Sequence, residues 1–144
     1  MPTPINVILH RRYRFSASHR LHQPGWSEEE NRRVYGKCAN PHGHGHNYVL
    51  DVALTGPVDA ATGMITNLAD LDAFVEREAL AELDHVYLNE QVPAFRSVVP
   101  TAENICRVLF DRLRAYPHAR LVTIGIEETG ANSFEYSGQT QGSH

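Results

Sequence analysis

The sequence predicts an α+β fold, an antiparallel β-sheet with two helices on one face, in the order β-β-α-α-β-β. Residues 5 to 21 and 44 to 55 alternate apolar and polar side chains, which is typical of half-buried strands. Residues 68 to 83 and 102 to 114 repeat apolar side chains with the period of a helix, and two further alternating stretches close the chain. Long antiparallel strands with the helices gathered in the middle favour the α+β class.

The first predicted strand places a histidine on its apolar face. The side chains of that parity are Ile5, Val7, Leu9, Tyr13, Phe15, Ala17 and His19. The other parity is polar, so one face of the strand is expected to pack on the core. Residues 22 to 43 then place Pro and Gly around a charged run, and they predict one long loop of the kind that is often functional.

The second predicted strand carries two more histidines on its apolar face. That face comprises His44, His46, Tyr48, Leu50, Val52 and Leu54. Asn67 and Thr101 are suitable N-caps for the two helices, which a loop over residues 84 to 100 connects.

The closing strands are predicted at residues 121 to 128 and 133 to 137, with a TGAN turn between them. In the first of these, one parity comprises Val122, Ile124, Ile126 and Glu128. A carboxylate on an apolar face needs a partner. Glu128 is therefore either exposed at the strand end or an acceptor for two adjacent N–H groups of a ligand.

Length and composition indicate one globular domain over residues 1–144. The chain is 42% hydrophobic and 21% charged. It has no apolar run near the ~20 residues of a membrane span, and its start lacks the pattern of a signal peptide. Its two cysteines, Cys38 and Cys106, suggest a reducing compartment rather than a disulfide framework. We therefore expect a cytoplasmic protein.

The charge distribution is uneven. The net charge of −4 argues against general nucleic-acid binding. Residues 1–50, however, carry seven Lys and Arg against three Glu, whereas residues 51–144 carry six against fourteen acidic residues. The basic half also contains the histidine cluster, so its cations form either a solvated face or a surface for a small anionic substrate such as a phosphate ester.

The stretch CANPHGHGHNY predicts a metal site. It places His42, His44 and His46 at alternate positions after Cys38. On a strand, residues i and i+2 point the same way about 7 Å apart, whereas i and i+4 lie about 13 Å apart, so at most two adjacent members of this set can share one ion. His19 on the neighbouring strand is the natural third ligand. Three imidazoles with a free position are typical of catalytic zinc, and the alternative is a set of hydrogen-bonded core histidines.

Other residues with reactive side chains admit two interpretations. Cys38 either closes a four-ligand site or acts as a nucleophile or base beside the metal ion. Cys106 lies on the apolar stripe of the second helix and is expected in the core. Asp84 and His85 form an Asp-His pair that could tune a base through a hydrogen bond.

Several motifs together resemble the 6-pyruvoyltetrahydropterin synthase family, from about residue 13 to 138. They are FSASHRL, the C-x5-H-G-H-N-Y pattern, DAATGMITNLADL, LDHVYLN, PTAEN and IEETGANSFEY, in the family's order. The resemblance implies a T-fold (tunnelling fold), trimers whose sheets form a barrel, and two trimers stacked as a homohexamer with active sites between subunits. It implies a zinc-dependent lyase of tetrahydrobiopterin biosynthesis that converts 7,8-dihydroneopterin triphosphate to 6-pyruvoyltetrahydropterin and triphosphate, with Mg²⁺ assisting at the triphosphate.

The resemblance also implies roles for individual residues. The zinc ligands would be His19, His44 and His46, and the catalytic residues would be Cys38 as general base, Asp84 and His85. Glu128 would bind the amino and ring N–H groups of the pterin, with Thr101 and Glu103 nearby. Ala102 stands where the animal enzymes carry a second threonine, which puts one pterin contact in doubt.

Two alternatives to this function remain open. The sister enzyme 6-carboxytetrahydropterin synthase of the queuosine pathway has a C-x3-H-G-H pattern, which Cys38, His42 and His44 also satisfy. The Asn47-Tyr48 pair after His46, and the strand phase, favour the longer frame. The second alternative is a non-catalytic, zinc-stabilised scaffold in which Cys38 closes the site.

Overall fold

Five strands form one sheet in the order β3-β1-β2-β4-β5 in the computed structural model, which describes residues 7–138. The strands are β1 Val7–His19, β2 His44–Gly56, β3 Val86–Tyr87, β4 Arg120–Thr129 and β5 Asn132–Tyr136. The short pair β1–β3 is parallel and the other pairs are antiparallel. The predicted α+β class is confirmed, whereas Ile5, which was predicted on the first strand, lies outside the described residues.

The longest pairing in the sheet joins β1 and β2 along their whole length. Its register runs from Val7 opposite Gly56 to His19 opposite His44. The predicted alternation of β1 is confirmed at the end near His19, where Phe15 and Ala17 are also buried, although Val7 at the other end is exposed. Because directly opposed side chains on one face have Cβ atoms about 5 Å apart, this register sets how close the imidazoles of the two strands come.

Five helices accompany the sheet within the described range, and both predicted helices are confirmed. The helices are α1 Glu28–Tyr35, α2 Leu68–Val75, α3 Ala81–Leu83, α4 Leu88–Gln91 and α5 Ala102–Leu113. A π-helical segment, Glu76–Leu80, connects α2 to α3, so residues 68–83 are one helical stretch. Asn67 caps α2 by accepting the N–H groups of Ala69 and Asp70, and Thr101 caps α5 by accepting that of Asn104.

The core lies between the sheet and the helices. From the strands it takes Tyr48, Leu50, Leu54, Ile124 and Ile126, and from the helices Leu71, Val75, Ile105, Leu109 and Leu113. α5 packs on β4 and β5, while α3 and α4 pack on β1. Among residues 7–138, no helix is long and apolar enough to cross a membrane.

The prediction of one long loop over residues 22–43 is wrong. α1 and a 3-10 turn, Gly36–Ala39, occupy most of it. α1 has few apolar side chains, so it gives no helical stripe, but its ends follow the usual rules. The Ser27 hydroxyl accepts the Glu30 N–H, acidic residues fill the first turn, and Gly36 ends the helix with a φ of 59°.

Two smaller predictions also need correction. Residues 84–100 are not a plain loop, because they contain β3, which adds to the edge of β1, and α4. A β-bulge between Ala53 and Leu54 shifts the register with β4, so that Leu121 rather than Val122 pairs with Leu54. Leu121 is buried and Val122 is half-buried, since the bulge reverses which of them faces the core.

Candidate metal centre

Four potential metal donors converge where β1 ends and β2 begins. They are His19, Cys38, His44 and His46, and one donor atom from each lies within 4.8 Å of all the others. The Cys38 Sγ is 3.1 Å from the His44 Nε2, which in turn is 3.0 Å from the His46 Nε2. In the part of the chain that the structure describes, this is the only such group of three or more His, Cys, Asp or Glu side chains.

Backbone geometry explains why Cys38 reaches the histidines. Cys38 lies in the 3-10 turn, and its carbonyl accepts the Leu21 N–H at 2.7 Å, which ties the turn to the end of β1. Gly43 then leads into β2 with a φ of 70°, and a Cβ at this position would lie 3.0 Å from the His19 carbonyl oxygen. Both the backbone conformation and this close approach therefore require glycine at position 43.

His42 lies outside the donor group. It is exposed in the turn before β2, where its backbone N–H donates to the Asn40 side chain at 3.0 Å. Pro41 and Gly43 flank it, so the strand pleat begins only at His44. The turn therefore takes His42 out of phase with the two histidines that come after it.

His19 is the most constrained member of the group. It is fully buried, and its Nδ1 donates to the Pro100 carbonyl oxygen at 2.8 Å. A carbonyl can only accept, so the proton is on Nδ1 and Nε2 carries a lone pair. Burial lowers the pKa of His19 to about 4, which keeps the ring neutral at physiological pH.

The His19 Nε2 is buried and has no hydrogen-bond partner among residues 7–138. Leaving a buried polar atom unpaired costs about 1–3 kcal/mol. This atom faces the other imidazoles, because the His19 ring lies 5.4 Å from that of His44 and 5.0 Å from that of His46. A metal ion bonded to Nε2 would satisfy it.

The donor set fits a small tetrahedral ion of the zinc type. Zinc takes imidazole and thiolate ligands at about 2.0–2.3 Å, which separates the ligand atoms of a tetrahedron by roughly 3.3–3.7 Å. The contacts of 3.0 and 3.1 Å, within a group that spans 4.8 Å, need only small adjustments to reach such spacing. Burial also lowers the pKa of His46, which favours the neutral form that binds metal ions.

Glu128 lies beside the donor group. It is half-buried at a break in the register between β4 and β5, where a bulge can re-aim a side chain. Burial first and the charge of Glu128 second raise the pKa of the Cys38 thiol, and the same two causes raise the pKa of Tyr48. The carboxylate is therefore within electrostatic reach of the site.

Asp84 and His85 lie side by side outside the donor group. The Asp84 Oδ1 accepts the Ser16 N–H and lies 2.9 Å from the His85 Nδ1. His85 has a φ of 61°, and its side chain is 81% exposed. It lines a cleft of about 480 Å³ that also reaches His46. Within one chain, the pair is thus next to the candidate centre and not part of it.

The PTAEN segment, residues 100–104, contacts the candidate metal centre through a backbone carbonyl group. The Pro100 carbonyl orients His19, and Thr101 comes directly after it as the N-cap of α5. Glu103 is exposed in the first turn of α5, where its charge adds to the burial that raises the pKa of Cys106 to about 12. Cys106 is buried, as predicted. The sequence pattern did not single out Pro100, because a backbone acceptor leaves no mark on the choice of side chain.

Comparison with known proteins gives consistent matches. A family model described as 6-pyruvoyl tetrahydropterin synthase matches residues 8–139. The chain is 45% identical over 130 residues to the 6-pyruvoyl tetrahydrobiopterin synthase of Homo sapiens, covering 90% of each chain. It is 36% identical over 99 residues, 69% of each chain, to a protein named putative 6-carboxy-5,6,7,8-tetrahydropterin synthase in Archaeoglobus fulgidus.

A solved structure shares the whole fold. The 6-pyruvoyl tetrahydropterin synthase of Caenorhabditis elegans superposes with a TM-score of 0.89 at 39% identity, over 96% of this chain and 100% of that one. The predicted T-fold is confirmed by this likeness.

Substitution of single histidines tests the ligand set. His46→Ala should abolish zinc binding, because it removes one of the three imidazoles of the donor group. His42→Ala should leave zinc near one ion per chain, since His42 lies outside the donor group. Metal content after gel filtration measures both. Loss of zinc from His42→Ala, with retention by His46→Ala, would assign the ion to the shorter C-x3-H-G-H frame.

Proposed function

The chain belongs to the 6-pyruvoyl tetrahydropterin synthase family, and from this premise we propose that it is a zinc-dependent lyase. Its reaction converts 7,8-dihydroneopterin triphosphate to 6-pyruvoyltetrahydropterin and triphosphate. The observation that carries the proposal is the unpartnered, buried Nε2 of His19, which faces two further imidazoles and a thiol. Buried polar atoms without a partner are rare in native proteins, and a bound ion would account for this one.

In this proposal His19, His44 and His46 hold the ion. The Pro100 carbonyl fixes the tautomer and orientation of His19, as outer hydrogen bonds commonly do for metal-binding histidines. When bound, a zinc ion would act as a Lewis acid on the side-chain hydroxyls of the substrate and would favour the thiolate form of the nearby cysteine.

Cys38 is the proposed general base at the side-chain carbons of the substrate. Its Sγ lies at the donor group, so it can reach a substrate that is held there. Burial and the charge of Glu128 raise its pKa in the protein alone. A base at this position therefore depends on a neighbouring cation to become deprotonated near neutral pH.

Asp84 and His85 supply a second proton-handling pair. The Asp84 carboxylate accepts the Ser16 N–H, and its Oδ1 lies 2.9 Å from the His85 Nδ1. The proposed assembly is a homohexamer, a dimer of trimers with sites between subunits, in which the exposed imidazole of His85 would be available to a neighbouring copy.

The pterin ring is proposed to bind at Glu128, with Thr101 and Glu103 nearby. A carboxylate is an acceptor-only group, and it matches the adjacent amino and ring N–H donors of a pterin. Ala102 is 2% exposed, so its methyl group packs in the core and makes no polar contact with a ligand.

The reaction product distinguishes the proposed function from the two alternatives. The Archaeoglobus fulgidus relative supports 6-carboxytetrahydropterin synthase as the second candidate, whereas the position of His42 outside the donor group favours the first. The zinc-loaded protein should be incubated with dihydroneopterin triphosphate and Mg²⁺, and the products identified by mass. We expect 6-pyruvoyltetrahydropterin; the carboxy product would establish the second candidate, and no turnover would favour a scaffold.

Removal of the thiol separates catalysis from metal binding. Cys38→Ala should keep zinc while turnover falls by a factor of order 10² or more, as expected for the loss of a general base. The cobalt-substituted wild type checks this assignment by absorption spectroscopy. A thiolate-to-cobalt charge-transfer band, together with zinc loss in Cys38→Ala, would make Cys38 a fourth ligand of a closed site.

A matched pair of glutamates tests the pterin contact. Glu128→Gln should weaken substrate binding by about 2 kcal/mol or more, because the amide presents a donor to the N–H groups of the pterin. Glu127→Gln is the control, since Glu127 is the exposed neighbour on the other face of β4. Steady-state kinetics compare the two variants. Equal KM and kcat values in Glu128→Gln and wild type would remove Glu128 from the pterin site.

A further inference from the structure

A cavity of about 610 Å³ opens next to the donor group on the side of His44. We call it the basic cavity, because its charged lining comprises Arg20, Arg32 and Lys37 against a single acid, Glu28. His22 and His44 also line it. Since His44 belongs to the donor group as well, a ligand held at that group can extend into the cavity without a gap.

Arg20 is held in place before any ligand binds. The Asn89 side chain accepts its backbone N–H at 2.8 Å and donates to its backbone carbonyl at 2.8 Å. The Arg20 Nε donates to the Ala39 carbonyl oxygen at 3.2 Å. Its two terminal nitrogens make no hydrogen bond or ion pair within residues 7–138, and they are the pair that binds an oxyanion through two parallel bonds.

The other cations lie on a segment that is also held firmly. Asn31 of α1 is 2% exposed and ties the helix to the preceding turn. Its side chain accepts the Gln23 N–H at 2.7 Å and donates to the Gln23 and Ser27 carbonyl oxygens at 3.0 and 3.1 Å. These bonds place the next residue, Arg32, at the cavity.

The cations of the cavity lack acidic partners in the described structure. Arg32 and Lys37 form no salt bridge there, whereas the adjacent Arg33 pairs with Glu30. The Nδ1 of His22 is buried without a hydrogen-bond partner among the described residues. The lining of the cavity thus contains three cations without an acidic partner, one buried nitrogen without a hydrogen-bond partner, and a single carboxylate.

We infer that the basic cavity binds the triphosphate group of the substrate, an assignment that rests on the proposed function. Glu127 pairs with Val49 of β2, so the next residue, Glu128, lies near the level of Tyr48, whereas the cavity lies at His44. Residues 44 and 48 are separated by about 13 Å along the strand. A pterin at Glu128 therefore directs its side chain across the donor group and its phosphates into the cavity, where Arg20, Arg32 and Lys37 meet the negative charge.

Inorganic tripolyphosphate is a probe for this subsite, because it carries the same anion without the pterin. Calorimetry on the full-length, zinc-loaded protein should show binding that weakens with added salt. The double variant R32A/K37A should raise the dissociation constant about tenfold or more, as expected for the loss of charge-assisted hydrogen bonds. KM for dihydroneopterin triphosphate should rise similarly, with zinc content unchanged.

Arg33→Ala is the matched control, since it removes a cation from the same helix but not from the cavity. Its dissociation constant for tripolyphosphate should stay within about twofold of the wild-type value, if binding depends on the cavity and not on the net charge of the protein. R32K/K37R keeps both charges and should retain most of the affinity. This variant separates loss of charge from damage to the fold.

The outcomes for the subsite and for the enzyme are distinguishable. If wild type fails to bind tripolyphosphate, or if R32A/K37A binds it as wild type does, the subsite is refuted even when turnover is normal. If tripolyphosphate binding depends on Arg32 and Lys37 but wild type does not convert dihydroneopterin triphosphate, the cavity stands as a polyphosphate site and the proposed reaction fails.

Discussion

The pairing of β1 with β2 is the constraint on which the candidate site depends. It sets His19 opposite His44 and Ala17 opposite His46, so three imidazoles share one face at one end of the sheet. A slip of one residue would turn one strand's histidines to the opposite face. The register is secured by Tyr48, Leu50 and Leu54, which would also leave the core on such a slip. The same apolar contacts therefore specify both the fold and the position of the donors.

Strand periodicity and helix caps made most of the fold and of the donor group predictable from the sequence. The phase of His19, His44 and His46, the position of Glu128 near the end of β4, and the two capped helices can all be read from local patterns. The helix α1 was missed, because a short helix of charged residues buries little apolar surface and leaves no stripe. The sequence also did not predict that Leu121, and not Val122, faces the core, since the bulge that causes this depends on pairing with the partner strand.

The relation between Asp84, His85 and the donor group was beyond sequence reasoning for another reason. The dipeptide suggested an Asp-His pair that could tune a base, and the Asp84 Oδ1 lies 2.9 Å from the His85 Nδ1. Their distance from the histidines depends instead on β3, a two-residue strand whose pairing with Ala17 and Ser18 is non-local. The basic cavity is similar, because it joins the end of β1, α1 and the turn before β2, which are distant in sequence.

The buried, unpaired Nε2 of His19 is a point of local frustration in the fold. The hydrogen bond from Nδ1 to the Pro100 carbonyl and the burial of the ring stabilise the native structure, whereas the unpaired Nε2 destabilises it. Regions that carry such a penalty open more readily than the rest of a domain, as separate cooperative units. The end of the sheet that carries the donors is therefore the part of the fold that an ion would complete. Binding of the proposed ion would therefore stabilise this end of the fold most, and without that ion this end would be the first to unfold and to be cleaved by proteases.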